Sequence, residues 1–210
     1  MQGGKDKVHV EPIVSKEYCC ESSQTILTIR RRPHVVNGGG FVVTNCSLQV
    51  LFRVEGCGIL GTDKELVLKD GNGDCLLLIR QKGGIVQALS VHRQWRGYAN
   101  NYEGAQRLVF TLKVPKSWLV KNVISAYVEP RKFHNKEWDF QIVGSFPDKA
   151  CSIIDANGNI IAKVGVTKEE GDEISIMDVY HVVIQKGVDQ AFVVGVIAVL
   201  DNIYGESTRC

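Results

Sequence analysis

Eleven basic side chains fall between residues 80 and 136: Arg80, Lys82, Arg93, Arg96, Arg107, Lys113, Lys116, Lys121, Arg131, Lys132 and Lys136. Only Glu103 and Glu129 oppose them. Cationic groups on neighbouring strands can converge on a phosphate, and arginine offers its oxygens two parallel N–H donors. Such clusters are also drawn to anionic lipid surfaces, by about 1 kcal/mol per side chain. Arg80, Lys82, Arg93, Arg96, Arg107, Arg131 and Lys132 form the candidate anion-binding set, with an anionic phospholipid or a nucleic acid as partner. The bland reading is a solvated outer face, or one that neutralises residues 137–210, which carry 5 basic and 12 acidic side chains. Residues 1–79 balance at 9 of each, so the formal net charge of +2 conceals the asymmetry.

Other arrangements carry less chemistry. Asp70-x-Asn72-x-Asp74 opens like a calcium-binding loop, but the sixth and twelfth positions are Cys75 and Gln81 where glycine and glutamate are needed. The equivalent run from Asp155 ends at Val166 and fails in the same way. Both read as hairpin turns. Gly38-Gly39-Gly40 lacks the Lys-Ser or Lys-Thr of a phosphate loop. His9, His34, His92, His134 and His181 are scattered, and no serine or cysteine stands in a nucleophile motif. No enzyme activity, metal or cofactor is expected. The seven cysteines include no C-x-x-C pair, and Cys19-Cys20 are adjacent thiols. The N-terminus never reaches a signal-peptide apolar core, so reduced thiols in the cytosol or nucleus are expected. The expected protein is a soluble monomer, with peripheral attachment to the plasma membrane compatible with its charge.

The elements that would position these residues are short and extended. Residues 1–24 lack a clear period and read as a loose arm. Strands are expected at about 25–30, 40–45, 48–54, 66–70, 75–80, 92–99, 107–114, 123–129, 138–144, 151–155, 160–166 and 180–186. Leu108, Phe110, Leu112 and Val114 show the period of two most clearly. Many short, regularly punctuated strands indicate an antiparallel barrel or sandwich. Val67–Leu76 resembles Ser152–Ile161, and Phe52–Gly56 resembles Phe140–Gly144, as a duplicated half-barrel would. In both hairpins Asn-Gly is expected to supply the positive φ of a two-residue turn.

Ala191 to Leu200 contains no polar residue. A segment apolar all round is buried on every side, and this one is too short to cross a bilayer. Its β-branched residues favour a strand. Asp189 as N-cap and Gly205 as terminator favour a helix over about 189–203, roughly 22 Å long. Local propensity leaves both open.

Gly187-Val188-Asp189-Gln190-Ala191-Phe192, the apolar run and Leu200-Asp201-Asn202 are similar to the C-terminal signature of the plant LURP-one-related family. Asp70-Gly71-Asn72-Gly73 and His92-Arg93-Gln94-Trp95-Arg96-Gly97 fit that family too, in the expected order, and the resemblance spans about 25–205. It implies an all-β, tubby-like closed antiparallel barrel of about twelve strands around one hydrophobic C-terminal helix, with 206–210 left as a tail. It also implies a cytosolic or nuclear plant protein of defence or stress signalling with no established enzymatic activity. Tubby proteins and phospholipid scramblases share that fold. By analogy the expected function is docking to anionic lipid such as phosphoinositide, or to nucleic acid. The alternatives are a protein-interaction scaffold and, third, scramblase-like lipid handling. A helix threaded through the barrel would fill it and push function outwards.

Overall fold

The computed structural model describes residues 12–20, 22–32, 39–56, 64–83, 90–100, 105–116, 123–130, 137–166 and 179–205. Twelve strands run in chain order. They are β1 (Thr25–Arg31), β2 (Phe41–Thr44), β3 (Val50–Glu55), β4 (Glu65–Asp70), β5 (Cys75–Gln81), β6 (His92–Asn100), β7 (Gln106–Pro115), β8 (Ile124–Val128), β9 (Phe140–Ser145), β10 (Ala150–Asp155), β11 (Ile160–Gly165) and β12 (Val179–Ile184). Each pairs antiparallel with its chain neighbours, and β12 closes on β1, from Thr25 opposite Ile184 to Arg30 opposite Val179. Closure leaves no unpaired edge.

Alternation along each strand separates the two faces. Leu27, Ile29, Phe52, Leu68, Ile79 and Leu112 point inwards and are fully buried. Eight strands already enclose a space that side chains can fill, so twelve leave a wider one. Helix α1 (Gln190–Tyr204) fills it, with every residue from Gln190 to Asp201 buried. Tertiary packing thus decides for helix where local propensity left the choice open. Phe192 meets Phe110 edge-on at 5.5 Å and Phe140 at 5.2 Å between ring centroids. Gly195 lies against the wall: a Cβ there would stand 3.0 Å from Leu77 Cδ1 and 3.5 Å from Phe110 Cε1. Gly195→Leu is therefore expected to over-pack the barrel and cost about 1–3 kcal/mol in urea denaturation. A neutral result would contradict the threaded helix.

The two turns that look alike in sequence are alike in structure, and sit six strands apart, in the β4–β5 and β10–β11 hairpins. They are not two-residue Asn-Gly turns. Positive φ falls on Gly73 (99°) and Gly158 (83°) and not on the preceding asparagines. The amides of Asn72, Gly73 and Asp74 donate to Asp70 Oδ1, and those of Asn157 and Asn159 to Asp155 Oδ1. The acidic residues of the calcium-like runs thus hold their own turns.

Residues 12–20 depart from the loose arm expected over 1–24. They include a single-turn 3-10 helix, Lys16–Tyr18, and lie under the barrel end where α1 begins. Asp189 explains the docking. Its Oδ1 accepts from Phe192 N, capping the helix, while Oδ2 accepts from the amides of Ile13, Val14 and Ser15 at 3.1, 2.7 and 3.1 Å. Ile13 is buried, Tyr18 packs on Phe52, and Gly187 N donates to Cys20 O. Burial pushes the Asp189 carboxyl up, against the pull of those four donors, which favour its ionised form. Residues 1–11, 21 and 206–210 lie outside the described residues.

Candidate anion-binding surface

The outer wall from β4 to β8 carries the charge pattern. In β6, Trp95, Gly97 and Ala99 face inwards, so Arg96 faces outwards. Register sets Glu65, Arg80, Arg96, Thr111 and Tyr127 in one row across five strands. Directly opposed side chains have Cβ atoms about 5 Å apart, so Arg80 and Arg96 repel unless something intervenes. Glu65 does so from the other side, accepting from Arg80 Nε. Arg96 Nε is buried and has no hydrogen-bond partner among the described residues. At the far side of the row Lys113 Nζ lies 4.5 Å over the Tyr127 ring.

Lys82 and Arg93 are exposed and stand at the same barrel end as Arg80, with Lys82 N donating to Gln94 O at 2.8 Å. Arg107 does not join them. It pairs with Ala99, six residues along β6 from Arg93, which at about 3.3 Å per residue puts the two roughly 20 Å apart at opposite ends. Arg131 and Lys132 lie outside the described residues. Of the seven expected residues, four therefore share one end of the β5–β6 wall and one stands away from it.

That end is where α1 finishes, and it gathers further cations from distant parts of the chain. Arg30 is exposed on β1. Arg31 points into the barrel mouth, where Nε and Nη2 donate to Asp201 Oδ1 at 3.1 and 2.7 Å. Lys149, in the β9–β10 turn, is buried beside them. The opposite end carries Asp70, Asp74, Asp139, Asp155 and Asp189, around the start of the helix. This polarity suits the helix macrodipole, positive at its start and negative at its finish. The Arg31–Asp201 pair has a faint sequence signal: Leu27, Ile29 and Arg31 share the inward parity, so Arg31 must find a partner inside. Lys149 has none, because only the turn geometry turns it inwards.

The thiols and histidines divide by environment. Cys151 is buried, and burial pushes its thiol up to about 11. Cys20 is held down to about 6, chiefly by the Ser22 hydroxyl at 3.5 Å, with backbone amides of Ser23 and Ser22 adding to it. His181 Nδ1 and Thr28 Oγ1 share a hydrogen bond across β1 and β12. No described helix is long and apolar enough to cross a membrane.

Comparison with known proteins gives consistent matches. The family model described as LURP-one-related matches residues 25–201. Protein LURP-one-related 6 of Arabidopsis thaliana is 49% identical, over 96% of this chain and all of that one. LURP-one-related 16 of the same plant is also 49% identical, over 99% of this chain and all of its own length. The X-ray structure of another Arabidopsis thaliana protein superposes with a TM-score of 0.62 at 20% identity, covering 91% of this chain and 97% of that one.

Proposed function

The chain belongs to the LURP-one-related family, and from that premise we propose that it is a non-enzymatic binding protein. It docks to anionic membrane lipid through the barrel end bearing Arg80, Lys82, Arg93 and Arg96, in plant defence or stress signalling. One observation carries this reading. Helix α1 fills the barrel, so a lipid surface meets its outside, where Arg80 and Arg96 oppose each other on the wall and Lys82 and Arg93 stand exposed at the same end. Phosphate-bearing lipid matches them in sign, and several weak contacts near a charged surface add. A peripheral, salt-sensitive attachment follows, with the protein otherwise free in the cytoplasm.

The test is co-sedimentation with phosphatidylcholine vesicles, with and without phosphoinositide, at low and high salt. Binding is expected only with phosphoinositide, and is expected to fade as salt rises. Reversing Arg93 and Arg96 to glutamate should weaken it at least about tenfold, from about 1 kcal/mol per cation lost. Arg107→Glu, at the other end, should bind like the parent. Binding that is absent, or that survives the double reversal, would overturn the proposal. Loss of vesicle binding with retained, Arg96-dependent binding to duplex DNA would move the ligand to nucleic acid. Binding to neither would leave the protein-interaction scaffold.

A further inference from the structure

Among the described residues, two cations and one carboxylate gather around the finish of α1. Lys149 is 6% exposed and sits at φ 52°, with its amide donating to Phe146 O and its side chain turned into the barrel mouth. Its Nζ lies 3.9 Å from the Phe146 ring centroid and 4.5 Å from that of Tyr180. Those π faces attract a cation but carry no formal charge and offer no lone pair of the usual kind. No described carboxylate forms an ion pair with Nζ; Asp201, paired with Arg31, acts on it from farther off. Beside it, the Tyr180 hydroxyl is fully buried and has no hydrogen-bond partner among the described residues.

The Tyr180 hydroxyl is thus a buried donor without a described acceptor, carried by one of the two rings that the Lys149 ammonium covers. The facing titratable groups are Arg31, Lys149, Asp201, Tyr180 and Cys151. Burial pushes the tyrosine and the thiol up, so both stay neutral near neutral pH, leaving two cations and one carboxylate among the described residues here. Burial, with the Arg31 charge adding and Asp201 opposing, holds the Lys149 ammonium down to about 8. A cavity of about 230 Å³ adjoins on the other flank of the same turn, lined by Ser145, Phe146, Pro147, Leu200 and Tyr204 among others. Phe146 lines the cavity and also carries Lys149 Nζ over its ring.

We propose that the mouth of the barrel at the β9–β10 turn is a binding site for one small anion, a phosphate or carboxylate group, held by Lys149 Nζ and Tyr180 Oη. Arg31 supplies background positive charge, and the cavity beside Phe146 is the way in. A water molecule could satisfy both donors, but it would leave the charge uncompensated. The site is separate from the β5–β6 wall and does not rest on the lipid-docking proposal.

Thermal unfolding of the full chain tests it. Sodium phosphate and sodium acetate are each titrated at neutral pH and constant ionic strength, with sodium chloride as the balancing salt. The expected result is a saturable rise in Tm with at least one of the two. The rise should vanish in Lys149→Met, which keeps the side-chain length over the two rings. Tyr180→Phe should move its midpoint roughly tenfold higher, as loss of one hydrogen bond to a charged group implies. Arg93→Glu/Arg96→Glu should keep the full rise, which separates this site from the outer wall. If neither anion raises the Tm, or if parent and Lys149→Met rise equally, the donors hold only water and the proposal falls.

Discussion

Asp201→Ala lowers the stability of the protein by about 3–5 kcal/mol, the range for stripping one partner from a buried ion pair. Asp201 is 0% exposed and Arg31 14%, so the guanidinium left behind cannot turn freely to water. The loss is compounded because Lys149 is buried in the same barrel mouth, leaving two cations with no carboxylate between them among the described residues. Against a total of about 5–15 kcal/mol for a domain, that is a large fraction. Urea denaturation should show a lower midpoint at unchanged slope. Arg31→Met/Asp201→Leu is the control: removing both charges together should recover most of the loss, because an apolar pair of similar size is often neutral or better. A double variant as unstable as the single one would show that shape, not charge, decides this position.

Asp189→Ala is expected to cost about 2–4 kcal/mol. Loss of the cap accounts for about 1 kcal/mol. The rest comes from the amides of Ile13, Val14 and Ser15, which lose their acceptor in a site where Asp189 is 1% exposed. Hydrogen exchange separates the two parts. The three amides should lose protection far more than the middle of α1 does, because the segment 12–20 detaches before the helix melts. Equal loss in both places would mean that the segment and the helix open as one unit.

These positions also show how far the chain could be read without coordinates. The strand set follows from alternation and turn residues, since the side-chain period of a strand is local information. That pattern left barrel and sandwich open, and the closed barrel came from the family resemblance. Asp189 as helix cap is local too. Its second role was not readable, because the segment it holds is more than 170 residues away in sequence. The Asn-Gly turns were misread for a local reason: the aspartate that begins each one accepts the turn amides, and only the following glycine takes positive φ. The candidate anion set was legible as a regional excess of charge. Its geometry was not, because β6 and β7 run in opposite directions and carry Arg93 and Arg107 to opposite ends.

The apolar run from Ala191 to Leu200 shows the same division. Composition by itself determined that it is buried on every side, because no face of it tolerates water. Composition did not choose between strand and helix; the family resemblance implied the helix, and the tertiary structure gives the physical reason for it. Twelve strands enclose more space than their own side chains fill, and a helix of this length and girth occupies it. The same closure turned Arg31, Lys149 and Asp201 towards one another at the barrel mouth. Long-range proximity of that kind has no signature in sequence spacing, since it exists only once the sheet has closed.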